Sequence, residues 1–495
     1  MLRRAFLAAP ALVLPAAAQD AARVALLHLN DFHSRHDPLG PSGAACRPGD
    51  ACVGGAARIA AAIKAARAEG AAPLLLDAGD QFLGSLFFTA HEGLAEARMQ
   101  RLWGVNAMAL GNHEFDLGPE GLARYLEAVE FPVLAANLAA TEEPLLAGKL
   151  RPTASFRSAA ARLVVAGLVT PETPTLSSPG PRLRFTDPAE AANRAVWEAR
   201  REGPATVVLL SHLGAAADRR LAAAVQGVDV ILGGHSHTLI APPEVVAGPD
   251  RPVLLAQAGA FGRHLGRLDL TLAADGRVVA HQGGTRPITQ DMPEDPEAAA
   301  LVAELAAPLA ALRAQVVFTL SAPLPADGCG RAPCPLGETV AEAMRQAMRA
   351  EIGWQNGGGL RAGLPGGAVS RADLLTTLPF GNVTVRITLR GALVLEALEA
   401  ALARLPAPSG RFPQLAGLRF TADAARPPGR RVVAAEVRAA DGAWRPLEPE
   451  RAYSVATNDF LRRGGDGHEA FRQPLEAMDD GPPLEDTLIR LMAAR

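Results

Sequence analysis

The chain has 495 residues, with 49 Lys and Arg set against 52 Asp and Glu, for a formal net charge of −3. That length exceeds one ordinary domain, and the near-neutral balance excludes the dense basic surface that a nucleic acid polymer or an anionic membrane demands. Apolar residues make up 49% of the sequence, enough for more than one packed core, yet beyond the first residues no stretch reaches the roughly 18 unbroken apolar positions of a membrane-spanning helix.

Residues 1–18 read as a signal peptide. Arg3-Arg4 precede an apolar run, and Ala16-Ala17-Ala18 offers a small-residue cleavage site. Arg3-Arg4-Ala5-Phe6-Leu7 fits a twin-arginine export signal, with an ordinary Sec signal as the alternative. The mature chain is therefore expected in the periplasm or outside the cell, without a membrane anchor. The four cysteines form two close pairs, Cys46 with Cys52 and Cys329 with Cys334. An oxidising compartment favours two local disulfides; a Zn site is the alternative, although neither pair has CxxC spacing.

Residues 23–29 form a buried strand ending in Asn30-Asp31-Phe32-His33. A Gly- and Pro-rich loop follows, then a helix over 55–69, from the helical spacing of Ala and Ile. Residues 73–76 make a second strand, ending in Asp77-Ala78-Gly79-Asp80-Gln81. A helix around 92–102 leads to a third apolar run, 107–110, which stops at Gly111-Asn112-His113-Glu114-Phe115-Asp116. Helix 119–129, strand 131–135, strand 163–169 and helix 188–201 come next. Strand 206–210 ends in Ser211-His212, and strand 229–232 in Gly233-Gly234-His235-Ser236-His237. Apolar runs alternating with helical patterns predict an α/β sandwich. Residues 296–314 read as one linking helix. Beyond it, helices at 336–350 and 391–404 alternate with strands at 351–354, 383–389, 417–421, 431–438 and 450–456, which predicts a second α/β domain. The expected division is 19–295, a linker over 296–316, and 317–495.

Five apolar strands thus end in ligand-type side chains: Asp31 and His33, Asp80, Asn112 and His113, His212, and His235 with His237. Ligands of α/β sheets gather at the carboxyl ends of strands. One such ending is commonly a turn; five together predict a metal site. The donor count suits two divalent cations, and the mix of carboxylate, imidazole and amide favours Zn²⁺ or Mn²⁺ over Mg²⁺ or Ca²⁺. Asp80 is the candidate bridge between them. Paired cations of this kind activate water and clamp the attacking and leaving oxygens of a phosphoryl displacement. His113 stands beside Asn112, and Asp116 can accept from its ring. His113 is therefore a candidate proton donor or electrostatic stabiliser, with a structural role as the alternative.

At these residues the chain resembles the 5′-nucleotidase family of calcineurin-like metallophosphoesterases, over nearly its whole mature length. The resemblance implies a four-layer α/β/β/α metallophosphoesterase sandwich followed by a C-terminal α/β substrate domain. It implies one metal held by Asp31, His33, Asp80 and His237, a second held by Asp80, Asn112, His212 and His235, and His113 with Asp116 as the catalytic pair. Three motifs of the second half carry it further: Asn356-Gly357-Gly358-Gly359-Leu360-Arg361, Leu378-Pro379-Phe380-Gly381, and Phe460-Leu461-Arg462-Arg463-Gly464-Gly465-Asp466-Gly467. By themselves the glycines of the first mark a tight turn with close backbone approach, and the Gly-Lys-Ser/Thr ending of a P-loop is missing. The resemblance implies that Phe380 and Phe460 sandwich a base, that Asp466 binds ribose hydroxyls, and that Asn356 and Arg361 hold base or phosphate. Both phenylalanines read as loop residues. The two cysteine pairs also resemble close pairs in animal members. Those members place Arg directly after the first Cys of the second pair, where this chain has Gly330 and then Arg331. The family often has Asn or Gln where His237 stands.

The implied activity is release of phosphate from nucleoside 5′-monophosphates. UDP-sugar hydrolysis and 2′,3′-cyclic nucleotide hydrolysis are alternatives on the same fold, and the cyclic enzymes tend to carry Asn at the position of Asp116. The thiosulfohydrolase relatives lack the Gly-Asn-His of the central motif, and the complete ligand set opposes a non-catalytic nucleotide binder. Metals before residue 240 and substrate motifs after 350 require a nucleotide to reach across a cleft, with a hinge expected in 296–314.

Overall fold

A computed structural model describes residues 22–494 apart from 41, 42, 44, 70–72, 159, 160 and 480. The leader expected over 1–18 lies outside the described residues. Among the described residues no helix is long and apolar enough to cross a membrane.

Two six-stranded sheets face each other in the first half of the chain. The first runs, edge to edge, Val278–Pro287, His264–Leu272, Ala22–Leu29, Leu74–Asp77, Ala107–Ala109, Val133–Leu134. The second runs Leu239–Ala247, Pro252–Ala258, Val230–Gly233, Thr206–His212, Ala161–Val169, Thr153–Ser158. Leu26, Leu76 and Ala107 of the first sheet pack on Val165, Val208, Leu210 and Leu232 of the second to form the inner core. Helices Ala56–Ala68 and Leu94–Trp103 cover the outer face of the first sheet through Ile59, Ile63, Met99 and Trp103. Helices Pro188–Arg201 and Ala215–Ala224 cover the second. The layers are therefore α/β/β/α. The central strands run parallel and are buried on both faces, which is why they read as unbroken apolar runs.

The strands between 239 and 287 had no such signal. Leu239–Ala247, His264–Leu272 and Val278–Pro287 pair antiparallel and are partly exposed, so polar residues interrupt their apolar positions, whereas Pro252–Ala258 is buried after its first residue and pairs in parallel with Val230–Gly233. Leu239–Ala247 also contains Pro242 and Pro243, and its register slips between Ile240 and Glu244. A bulge on an edge strand is where proline is tolerated.

The second half carries a five-stranded sheet ordered Pro413–Ala416, Ile352–Asn356, Ala452–Asn458, Thr384–Arg390, Glu476–Met478. Helices Pro335–Ala347 and Leu484–Ala493 pack on one face and Gly391–Ala401 on the other. Both disulfides are formed, Cys46–Cys52 and Cys329–Cys334. The second caps a helix, since Cys334 Sγ accepts from the Gly337 N–H at 3.2 Å. The linking segment is not one helix. It is Pro296–Ala306, a 3₁₀ turn Ala307–Leu309 and a short helix Ala310–Ala314. Pro308 has no N–H to give, and its ring crowds the preceding turn.

Candidate active site

The carboxyl ends of Ala22–Leu29, Leu74–Asp77, Ala107–Ala109, Thr206–His212 and Val230–Gly233 meet at one edge of the sandwich. Here the backbone leaves ordinary strand geometry. Asp31, His33, Asp80, His235 and His237 all have positive φ, between 50° and 71°. A non-glycine residue in that region costs of order 1–3 kcal/mol and persists only where its surroundings impose it. The surroundings do so. The Asp31 N–H donates to Gly79 O (2.8 Å), His33 N–H to Asp80 O (3.0 Å) and Ser34 N–H to Gln81 O (2.9 Å), zipping two strand-end loops together. Glu114 accepts from four backbone N–H groups, of Asp80, Gln81, Phe82 and Gly111, at 2.6–3.3 Å. Gly111 must be glycine, because a Cβ there would lie 2.1 Å from Asp80 Oδ1.

His33 Nε2 and His237 Nε2 approach to 3.1 Å, and His237 Nε2 lies 3.4 Å from Asp31 Oδ1. His212 Nε2 lies 3.1 Å from Asp80 Oδ2, and the same oxygen is 3.7 Å from His33 Nε2. Asp80 thus stands between the Asp31–His33–His237 group and the group it forms with His212 and His235. The His212 and His235 rings are 5.2 Å apart. Ring nitrogens facing away from the cluster are occupied: His212 Nδ1 donates to Ala78 O (2.6 Å) and His33 Nδ1 to Phe82 O (3.0 Å). Those carbonyls can only accept, so each Nε2 lone pair faces inward. Asn112 Oδ1 and His212 Nε2 are buried with no hydrogen-bond partner. Orphaned acceptors of this kind, beside two carboxylates, fit divalent cations.

The charge states of Asp80, His33 and His235 agree. Burial opposes ionisation of Asp80, but the His212, His113 and His33 imidazoles hold its carboxyl well below the usual range. Burial and the charge of His212 lower His235 to about 3. Burial and Arg361 push His33 well down. His212 differs: burial opposes its charge, but Asp80 and Asp31 outweigh burial and raise it to about 10. Its proton must leave when a cation binds, whereas anionic carboxylates and the neutral imidazoles of His33 and His235 already have the ligand form.

His113 is tied differently. Its Nδ1 donates to Asp116 Oδ2 at 2.7 Å, and Ser177 Oγ donates to Asp116 Oδ1 at 2.6 Å. Its backbone N–H donates to Asp80 Oδ1 at 2.9 Å. Burial disfavours charge on this ring, but Asp116 and Asp80 outweigh it and raise its pKa. His113 also groups with His33 and Asp80 closely enough to be a ligand by distance alone; the bond to Asp116 sets it apart.

The second domain reaches this edge. Arg361 Nη2 lies 3.0 Å from His33 Nε2, and the Arg361 carbonyl accepts from Arg35 Nη2 at 2.7 Å. Phe380 sits in a turn, packs against the first domain's cluster around Phe115, and has its ring centroid 6.3 Å from that of His113. Asn356 Nδ2 donates to Asp466 Oδ2 at 2.7 Å. Phe460 is not in a loop. It lies in the single helical turn Asp459–Arg462, which Asn458 caps by accepting from the Leu461 N–H at 2.8 Å. Its ring lies over Gly465, where a Cβ would come within 2.5 Å of Cζ. Among the described residues no ring contact joins Phe380 to Phe460.

Residues 24–239 match the calcineurin-like phosphoesterase family, and residues 314–473 match the 5′-nucleotidase C-terminal domain. The 5′-nucleotidase of Bos taurus is 33% identical over 492 residues, covering 92% of this chain and 86% of that protein. A 5′-nucleotidase precursor from Thermus thermophilus superposes with a TM-score of 0.91 at 36% identity, covering 96% of both chains. The trifunctional nucleotide phosphoesterase protein YfkN of Bacillus subtilis is 32% identical over 498 residues; the match covers 92% of this chain but only 33% of that longer protein.

The chain belongs to the 5′-nucleotidase family of calcineurin-like phosphoesterases.

As a member it is a metal-dependent hydrolase, and the cluster at the sandwich edge is the candidate seat of its divalent ions. Several supporting residues were not legible beforehand. Asn30 Nδ2 donates to Asp31 Oδ2 (2.7 Å) and Gly259 O (2.6 Å), while its Oδ1 accepts from the Ala258 N–H (2.9 Å). Glu96 is fully buried and accepts from Ser34 Oγ and from His36 Nε2. Glu114 stood inside the central motif without an assigned part. Only Asn30 and Glu114 had a signal, their place within ligand motifs; Glu96 lies in a helix far along the chain.

Proposed function

We propose that this enzyme hydrolyses nucleoside 5′-monophosphates to nucleoside and phosphate outside the cytoplasm. The reading rests on one observation: Arg361 of the second domain lies 3.0 Å from His33 in the ligand cluster of the first. A single ligand can therefore touch both domains, with phosphate at the cluster, ribose at Asp466 and base between Phe380 and Phe460. The working division is 19–295 for the catalytic domain, 296–316 for the linker and 317–495 for the substrate domain, with 1–18 as the export signal.

Asp31, His33, Asp80 and His237 would hold one cation, and Asp80, Asn112, His212 and His235 the other, with Zn²⁺ or Mn²⁺ suited to these donors. When bound, such a pair supplies Lewis acidity and an activated water. The chain's own groups do the rest. Arg361 offsets phosphate charge. Asp116 fixes the His113 ring through Nδ1, leaving Nε2 to hand a proton to the departing 5′ oxygen. Asn356 keeps one oxygen of Asp466 occupied and its carboxylate in place.

The test is phosphate release from a substrate panel by enzyme stripped of metal and reloaded with Zn²⁺ or Mn²⁺. Adenosine 5′-monophosphate and its purine and pyrimidine counterparts should turn over faster than UDP-glucose, 2′,3′-cyclic AMP and thiosulfate. Cleavage of UDP-glucose with no release from any 5′-monophosphate would overturn the reading.

A further inference from the structure

One ionic contact joins the two domains beside the reacting groups without touching the metal ligands. Glu172 follows strand Ala161–Val169 and immediately precedes the short helix Thr173–Leu176 of the catalytic domain. Its carboxylate receives Arg404 Nη2 through Oε1, and Arg411 Nη2 lies 3.6 Å from Oε2. Both arginines belong to the segment between helix Gly391–Ala401 and strand Pro413–Ala416 of the substrate domain. That segment is itself docked at the substrate face: Gly358 N–H donates to Gly410 O at 2.9 Å, and a Cβ on Gly410 would lie 3.7 Å from Asp466 Oδ2.

From Glu172 the backbone of the 170–177 turn, tightened by its own hydrogen bonds, leads to the catalytic pair. The Glu172 carbonyl accepts from the Thr175 N–H and Oγ1, both at 2.8 Å, and Ser177 N–H donates to Thr173 O at 2.9 Å. Thr173 Oγ1 anchors the turn on Thr170 O at 2.7 Å. Ser177 Oγ then donates to Asp116 Oδ1 at 2.6 Å, and Asp116 Oδ2 holds His113 Nδ1 at 2.7 Å. The turn 170–177 thus links Arg404 and Arg411 of one domain to the Asp116–His113 pair of the other.

We propose that Glu172 is a positioning residue that couples docking of the substrate domain to the orientation of His113. With Arg404 and Arg411 seated on Glu172, the 170–177 turn is held and Ser177 keeps Asp116 aimed at the ring. With the domains apart, that restraint is lost and proton delivery to the leaving oxygen suffers. The device makes the acid fully competent only when the substrate domain has closed on its ligand. The inference rests on the nucleotidase reading and on His113 as proton donor.

The consequence depends on the leaving group. A nucleoside 5′-alkoxide needs a proton as it departs, whereas p-nitrophenolate is stable without one. Glu172→Gln, Ser177→Ala and the double variant Arg404→Ala/Arg411→Ala should each lower kcat on adenosine 5′-monophosphate by roughly 10-fold, a fraction of what a general acid contributes. Each should change kcat on p-nitrophenyl phosphate by less than about 2-fold. Combining Glu172→Gln with Arg404→Ala/Arg411→Ala should add little, because both remove the same contact. Equal losses on the two substrates, additive losses in the combined variant, or unchanged kcat in Glu172→Gln would each overturn the proposal. Failure of the wild-type enzyme to release phosphate from any 5′-monophosphate would instead overturn the nucleotidase reading beneath it.

Discussion

The two walls of the site are built in opposite ways. At the metal edge, the ligands leave buried parallel strands and are clamped by backbone bonds between loops and by Glu114 and Asn30. Asp31, His33, Asp80 and His212 are essentially unexposed. At the substrate wall, Phe380 sits on a turn, Phe460 on one helical turn, and Arg361 after a 3₁₀ turn, all half-buried. They are placed by docking one domain on the other, through Arg35 with the Arg361 carbonyl, Arg47 with Asp373, and Arg404 with Glu172. The proposed division would put chemistry that tolerates little misplacement on the clamped edge and recognition on a surface held by domain docking.

The sharpest break in this contrast is at Asp80, the shared group of the rigid wall. Asp80→Asn should lose both bound metal and activity while remaining folded, as read by elemental analysis, phosphate release and circular dichroism. Full metal content in the purified variant would remove Asp80 as the bridge. Next in size is His113, which lies on the same wall but should act on the substrate. His113→Ala should retain metal and lose about 10²–10⁴ in kcat; near wild-type turnover would remove it from the chemistry.

On the movable wall, effects should fall on binding. Phe460→Ala should raise KM for a nucleotide by about 5- to 150-fold, the span of roughly 1–3 kcal/mol for stacking on one aromatic, with little change for p-nitrophenyl phosphate. Loss on both substrates would point to folding, and loss on neither would take Phe460 out of the site. The smallest effect should come from the Cys46–Cys52 loop. Arg47 beside the disulfide donates to Ala368 O at 2.9 Å and pairs with Asp373 at 2.6 Å, at the helix that leads into Phe380. Cys46→Ser/Cys52→Ser should lower stability by about 2 kcal/mol for so short a loop. It should also raise nucleotide KM by only a few-fold, measured by denaturant unfolding and steady-state kinetics. An unchanged KM would show that the loop does not steady the substrate wall.

The metal edge was readable because buried parallel strands are apolar throughout, so a strand ending in Asp, His or Asn stands out against them. Helices such as Pro188–Arg201 were readable from their periodicity; the structure adds the cap, Asp187 accepting from the Glu190 N–H at 2.9 Å. Strands Leu239–Ala247, His264–Leu272 and Val278–Pro287 were not, because each is partly exposed to water and two prolines interrupt the first. The break at Pro308 carries a local signal, a proline set within an Ala- and Leu-rich run that otherwise has helical spacing. Phe460 looked like a loop residue because its helix is one turn long, too short for any periodicity to show.

What the sequence determined alone was local: which runs are buried, where they stop, and which donor-bearing side chains stand at the stops. Those follow from hydrophobic burial and from backbone preferences of a few adjacent residues. Only the tertiary structure decided which stops share an edge, which imidazole nitrogen faces inward, and which residues hold the ligands in left-handed geometry. It also brought Glu96 to Ser34, Arg361 to His33 and Arg404 to Glu172, across 62, 328 and 232 positions of chain. Contacts that distant depend on how layers and domains pack, and no pattern of neighbouring residues encodes them.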